Sequence, residues 1–108
     1  MEFQFLLEET FKLSKKDHIW FHTKNIPGSH VVLAHNNPNE KLIELAGKLA
    51  AFHSKASSSS NVPVDYTKIK NVKKMAHSKP GIVIYTSQNT VYVTPPNDLS
   101  ELNLTLKE

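Results

Sequence analysis

The chain has no cysteine and no arginine among its 108 residues, and only three glycines and one tryptophan. Without cysteine there is no disulfide, thiolate metal site or thiol nucleophile, an absence that fits a reducing cytosol and is otherwise neutral about compartment. Without arginine there is no planar fork for bidentate recognition. All 13 basic residues are lysine, a point charge suited to attracting a phosphate backbone rather than reading bases. The few glycines form no phosphate-cradling loop. No apolar run approaches the ~20 residues of a membrane-spanning helix. The first residues lack the basic-then-apolar order of a signal peptide.

What remains is the composition of one globular domain. Hydrophobic residues make up 39% and charged residues 21%, enough for a modest core and too apolar for a disordered chain. The net charge of +3 is unevenly spread. Residues 41–80 hold eight lysines against Glu44 and Asp65, whereas acids outnumber lysines on either side. Any polyanion would be drawn to the middle of the chain.

The run from Trp20 to Val32 sets an aromatic ring, His22, Lys24 and His30 around a Pro27-Gly28 pair. Proline presets φ and glycine accepts positive φ, so the pair predicts a tight structural turn between short strands at 18–23 and 30–33. In such a strand His18, Trp20 and His22 share one face and Ile19 and Phe21 the other. Ile19 and Phe21 suit the core. That leaves two readings: Trp20 and His22 form an exposed stacking platform, or Trp20 packs inward while His22 hydrogen-bonds to the turn and fixes its shape.

Asn37, Pro38 and Glu40 have the pattern of an N-cap, a first helical residue and a capping box. Leu42, Leu45, Ala46, Leu49, Ala50 and His53 then recur at helical spacing, predicting a helix over about 38–54 that covers a sheet. A short helix at 8–16 is suggested by acids early and lysines late, although Phe3, Phe5 and Leu7 alternate as in a strand. Residues 55–61, with four serines, read as a loop. Val62–Thr67 reads as a strand with Val62, Val64 and Tyr66 on one face, and Pro63 suggests a sheet edge or a strand start. Residues 68–79 read as irregular. A hairpin is expected over 82–86 and 90–94, and Leu102, Leu104 and Leu106 allow a last edge strand. The fold class is α+β, a mainly antiparallel sheet covered by one long helix plus a short N-terminal helix.

Lys68, Lys70, Lys73, Lys74 and Lys79 place five charges within twelve residues. A solvated face is the ordinary meaning of such a cluster, but the lack of adjacent acids and the nearby Tyr66 favour binding. Metal and catalytic chemistry find little support. His18 and His22 have ligand spacing only on a helix, His22 and His30 lack a third ligand, and Ser29 beside His30 lacks an acid. No cofactor is expected.

Trp20-x-His22 followed by Pro27-Gly28-Ser29-His30-Val31-Val32 resembles the signature of the NFACT-R domain. Val62-Pro63-Val64-Asp65-Tyr66-Thr67, Lys70-x-Val72-Lys73-Lys74, Lys79-Pro80-Gly81 and Thr90–Pro95 are similar to that family's second half. The resemblance spans about residues 10–96; Met1–Glu8 departs from it, so the start is expected to be truncated or replaced. It implies a non-catalytic RNA-binding module, expected to be a C-terminal piece of a cytoplasmic RqcH-like quality-control factor that engages tRNA and the large ribosomal subunit. On that analogy Trp20, His22, Lys24 and His30 would line an RNA-facing patch and the five lysines would contact phosphate. Some relatives are labelled fibronectin-binding proteins. The alternative is therefore an adhesin-like module, with fibronectin as partner and cell-surface association.

Overall fold

Three asparagines surround Pro38, and the Leu42 amide decides which of them caps the helix. The computed structural model describes residues 5–6, 16–28, 30–35, 37–74 and 83–98. Within these, helix α1 runs Glu40–Phe52, and the Asn39 side chain accepts the Leu42 N–H at 2.9 Å. The expected cap at Asn37 and span of 38–54 are thus corrected. Pro38 lies ahead of the cap, and Glu40 is the first helical residue, near the positive end of the helix dipole, rather than the close of a capping box. The helix is 13 residues long, of ordinary rather than unusual length. Its buried stripe is Leu42, Ala46, Gly47, Leu49, Ala50 and Ala51, so the packed face is rotated from the expected one, leaving Leu45 and His53 half-buried. Gly47 marks a close approach of helix to sheet: a Cβ there would meet Val91 Cγ1 at 3.1 Å and Val93 Cγ1 at 3.3 Å. Full burial of a leucine such as Leu49 contributes about 1.5–3 kcal/mol.

The helix packs on a five-stranded antiparallel sheet. Its strands are β1 (Phe5–Leu6), β2 (Ile19–Thr23), β3 (Val31–Leu33), β4 (Val62–Lys68) and β7 (Asn89–Val93). They lie side by side in the order β1-β3-β2-β4-β7. The α+β class and antiparallel sheet are as expected, and β2 and β3 fall within a residue of their predicted bounds. The proposed helix at 8–16 falls almost wholly outside the described residues, and the leucine-alternating tail at 102–106 wholly so.

Strand β4 is interior, not an edge, which corrects the first reading of Pro63. Proline is accommodated because it lies one residue past the last β2 pair, Thr23↔Val64. There Pro63 O accepts the Lys24 N–H at 2.9 Å, and the proline nitrogen on that same side has no ladder bond to make.

The two faces of the sheet divide by residue parity. Ile19, Phe21, Val62 and Val64 join α1 in the main core, with Tyr66 packed against it. On the opposite face, cross-strand pairs set Val32 beside Trp20 and Trp20 beside Thr67; His22 lies beside Asp65 and Asp65 beside Thr90.

A two-stranded ribbon covers part of that second face. It comprises β5 (Val72–Lys74) and β6 (Val83–Tyr85), paired Val72↔Tyr85, Lys73↔Ile84 and Lys74↔Val83. The expected hairpin is therefore corrected: its two arms exist, but β6 pairs with β5 and β7 with β4. Residues 72–74, expected to be irregular, supply the missing partner. Polar contacts seat the ribbon. Thr67 Oγ1 donates to Thr86 O at 2.9 Å, Asn71 Nδ2 donates to Thr67 Oγ1 at 3.0 Å, and Thr86 N–H donates to Asn71 O at 3.2 Å.

Candidate nucleic-acid interface

Between the β2–β3 turn and β6 lies a cleft of about 430 Å³. Its turn side is made by Asn25, Ile26 and Pro27, and its ribbon side by Val83 and Tyr85; Trp20, His22 and His30 lie between. The reversal itself occurs at Lys24-Asn25, and the residue in the left-handed region is Asn25, with φ 54°. Asparagine tolerates that conformation through its short polar side chain. Thr23 Oγ1 donates to Ile26 O at 2.8 Å and braces the turn.

The role expected of Gly28 is corrected accordingly, since its φ does not lie in the left-handed range. Glycine is needed there for close approach. A Cβ would lie 2.8 Å from Ser54 Cβ and 2.9 Å from Ser54 Cα, because the turn bridges to the chain leaving α1. Lys55 N–H donates to Pro27 O at 2.9 Å across the same junction. The core helix thereby anchors one wall of the cleft.

Trp20 is fully buried, at 0% exposure, although its face of the sheet lies opposite α1. The exposed-platform reading is thus corrected, because ring neighbours enclose the indole. His22 stacks nearly parallel to it at 5.9 Å between centroids, His30 meets it edge-on at 5.5 Å, and Tyr85 lies tilted over it at 4.6 Å. His22 and His30 meet edge-on at 5.0 Å. His22 Nε2 lies 3.2 Å from Gly28 O, a hydrogen bond made when that nitrogen carries the proton. His30 is buried and His22 half-buried. The Trp20 indole N–H has no hydrogen-bond partner among the described residues.

Asp65 is the residue that sequence reasoning missed. It is 1% exposed and accepts from Tyr85 Oη at 2.6 Å and Thr90 Oγ1 at 2.7 Å; Lys24 Nζ lies 3.2 Å away. Burial alone would raise the Asp65 carboxyl, but the hydrogen bonds of Tyr85, Thr90 and Lys24, with the lysine charge, outweigh it and hold the group below its ordinary value. Burial first, then the bond to Asp65 and its charge, pushes the Tyr85 phenol well above the usual tyrosine range. A signal was present in the sequence: Asp65 is the only acid between Glu44 and Asp98, and it stands within an apolar strand.

The structure thus gathers Trp20, His22 and His30 in one cleft, whereas Lys24 lies outside its lining and is paired with Asp65. The lysines are spread more widely. Lys68 shares the helix-side register of Val64 and Tyr66 and lies 3.9 Å from Asp17, an exposed and weak pairing. Lys70 and Lys73 are exposed, and Lys73 pairs across the ribbon with Ile84, itself 54% exposed. Lys74 occupies the last β5 register position, and Lys79 lies outside the described residues. Among the described residues, no three His, Asp or Glu side chains converge as a metal site requires.

The family model of the NFACT protein RNA-binding domain matches residues 6–81. The chain belongs to that family. The matched span of this NFACT-R domain holds the cleft-forming turn, Asp65 and β5, and ends two residues before β6. Similar proteins include the Rqc2 homolog RqcH of Bacillus subtilis, 55% identical over 89 residues, covering 82% of this chain and 16% of the relative. The Rqc2 homolog RqcH of Streptococcus suis is 47% identical over 92 residues, 84% of this chain and 17% of that protein. The chain therefore spans about a sixth of these relatives' length. Among solved structures, the C-terminal part of the fibronectin/fibrinogen-binding protein of Streptococcus suis superposes with a TM-score of 0.81 at 44% identity. That match covers 87% of this chain and 38% of the other. No helix among the described residues is long and apolar enough to cross a membrane.

Proposed function

We propose that this NFACT-R domain is a non-catalytic RNA-binding module of a cytoplasmic ribosome-associated quality-control factor, engaging tRNA or the large ribosomal subunit through lysine–phosphate contacts. The observation that carries the reading is the family match over residues 6–81, joined to a lysine-rich segment with exposed Lys70 and Lys73. Lys68, Lys74 and Lys79 complete the expected phosphate contacts. Lysine-only contacts favour the backbone over base identity, so affinity should fall steeply with salt and vary little with sequence. If about four phosphates are engaged on a duplex, the log–log salt slope is roughly −3.6, and shallower on a single strand. A filter-binding titration of tRNA against salt tests this; a flat salt response, or equal affinity for a neutral polymer, rejects it.

The fibronectin reading draws on the solved Streptococcus suis neighbour, whose description names fibronectin and fibrinogen. Immobilised fibronectin compared with tRNA at physiological salt separates the two. Loss of tRNA binding in the Lys73→Glu/Lys74→Glu double variant, with fibronectin binding retained, would assign the lysines to RNA alone.

A further inference from the structure

We infer that the cleft between the Lys24-Asn25 turn and β6 is a receptor for one unstacked nucleobase of single-stranded RNA. The inference rests on the RNA-binding reading and adds a base site to what lysine–phosphate contact alone provides.

The cleft has the character of a small-molecule site: about 430 Å³, mainly apolar walls and a few polar groups. Its surfaces suit a flat ring. Pro27 is exposed on the turn side, the half-buried Tyr85 ring stands on the ribbon side, and the half-buried His22 ring lies between them. Both rings are backed by Trp20, at 5.9 and 4.6 Å between centroids, so they are held in place rather than left to rotate. Stacking on fixed aromatic rings is how single-stranded bases are commonly captured, with little dependence on which base is present. A polar group suited to a base edge is also present: the exposed Asn25 lies in the turn wall.

Charge favours the same occupant. Asp65, the buried acid beneath this region, is engaged by Lys24, Tyr85 and Thr90 and presents no bare negative charge to a phosphate. The ribbon that supplies Val83 and Tyr85 to the cleft carries Lys73 on its other face. A backbone following the ribbon could therefore be held by lysine while one base turns into the cleft.

Trp20 is the only tryptophan of the chain, so its emission reports on the cleft directly. The 108-residue chain is titrated with hexauridylate, hexaadenylate and an abasic ribose-phosphate oligomer of equal length. Binding is followed by Trp20 fluorescence and by anisotropy of labelled oligomers. The base-bearing oligomers should bind about tenfold or more tighter than the abasic one, and they alone should change Trp20 emission. Val83→Phe, which fills the cleft, and Asn25→Gly, which keeps the positive φ but removes the amide, should bring base-bearing affinity toward the abasic value. Lys73→Glu should weaken all three oligomers. Equal affinity for base-bearing and abasic oligomers, or full base-dependent affinity in Val83→Phe, would overturn the base receptor while leaving phosphate-mediated binding intact. Failure of every oligomer and of tRNA to bind would overturn the RNA-binding reading and this inference with it.

Discussion

Tyr85 donates a 2.6 Å hydrogen bond to Asp65, joining the ribbon to a carboxylate buried on the interior strand β4. Thr90 and Lys24 complete the set of partners. A buried carboxylate is costly to desolvate and is tolerated only when its lone pairs are met. Asp65→Ala should therefore destabilise the domain by about 3 kcal/mol, because it leaves the half-buried polar groups of Tyr85, Thr90 and Lys24 without their acceptor at once. Asp65→Asn, which retains one acceptor oxygen, should cost less. Urea midpoints of the three proteins check the order.

The same pair predicts a loss of stability in alkali. The Tyr85 phenol titrates above its ordinary value of 10.0 when folded, so the stabilisation is complete below pH 10 and declines as pH rises through the folded value. Tyr85→Phe should be less stable at neutral pH yet show a flatter profile above pH 10. Thermal midpoints across that range would expose a profile unchanged by the substitution.

Acid should weaken the fold in two stages. Burial lowers His53 below its ordinary 6.5, so folding favours the neutral ring; that contribution is present above pH 6.5 and is lost as pH falls through the folded value. Asp65, held below its ordinary 3.8, contributes above that value and loses its contribution as pH falls further. His53→Gln should remove the first stage and leave the second, as followed by circular dichroism against pH.

Gly28→Ala should cost about 1–3 kcal/mol through overpacking, since the new methyl would press on Ser54 Cβ and Cα. Adding Ser54→Gly should recover only part of the loss, because the methyl would still stand 2.9 Å from the backbone of residue 54. Full recovery in the double variant, measured by denaturant titration, would place the constraint elsewhere.

Enclosure of Trp20 predicts blue-shifted native fluorescence that acrylamide quenches poorly, moving to the red on unfolding. Trp20→Ala should cost about 3–5 kcal/mol, as for other buried aromatic truncations. Efficient quenching of the folded domain would contradict the burial.

Much of this arrangement is legible in the residues themselves. The alternation in β2 separated Ile19 and Phe21 from Trp20 and His22, and the apolar spacing from Leu42 onward marked the helix. Burial of Trp20 could not be read there, because the lid comes from Tyr85, far along the chain, and alternation assigns a face without saying what covers it. The pairing of β6 was missed for a related reason. Two β-prone runs separated by a few polar residues look like a hairpin, and only the tertiary contacts of Tyr85 and Thr86 draw the first run onto a different strand. Asp65 was visible as an isolated acid, but its role depends on three partners from three other segments.

The division of labour along β4 has a consequence for how such a chain can vary. Val62, Val64 and Tyr66 serve the helix-packed core, while Asp65 and Thr67 serve the opposite face. Their roles are interleaved residue by residue. Inserting or deleting one residue within β4 would exchange the two sets, sending a carboxylate into the apolar core and valines toward the cleft. A substitution here disturbs one face at one position, whereas a change of length disturbs both faces at once. Length variation in descendants of this sequence should instead accumulate in the serine-rich loop before β4, where Ser57–Asn61 are exposed and no such phase must be kept.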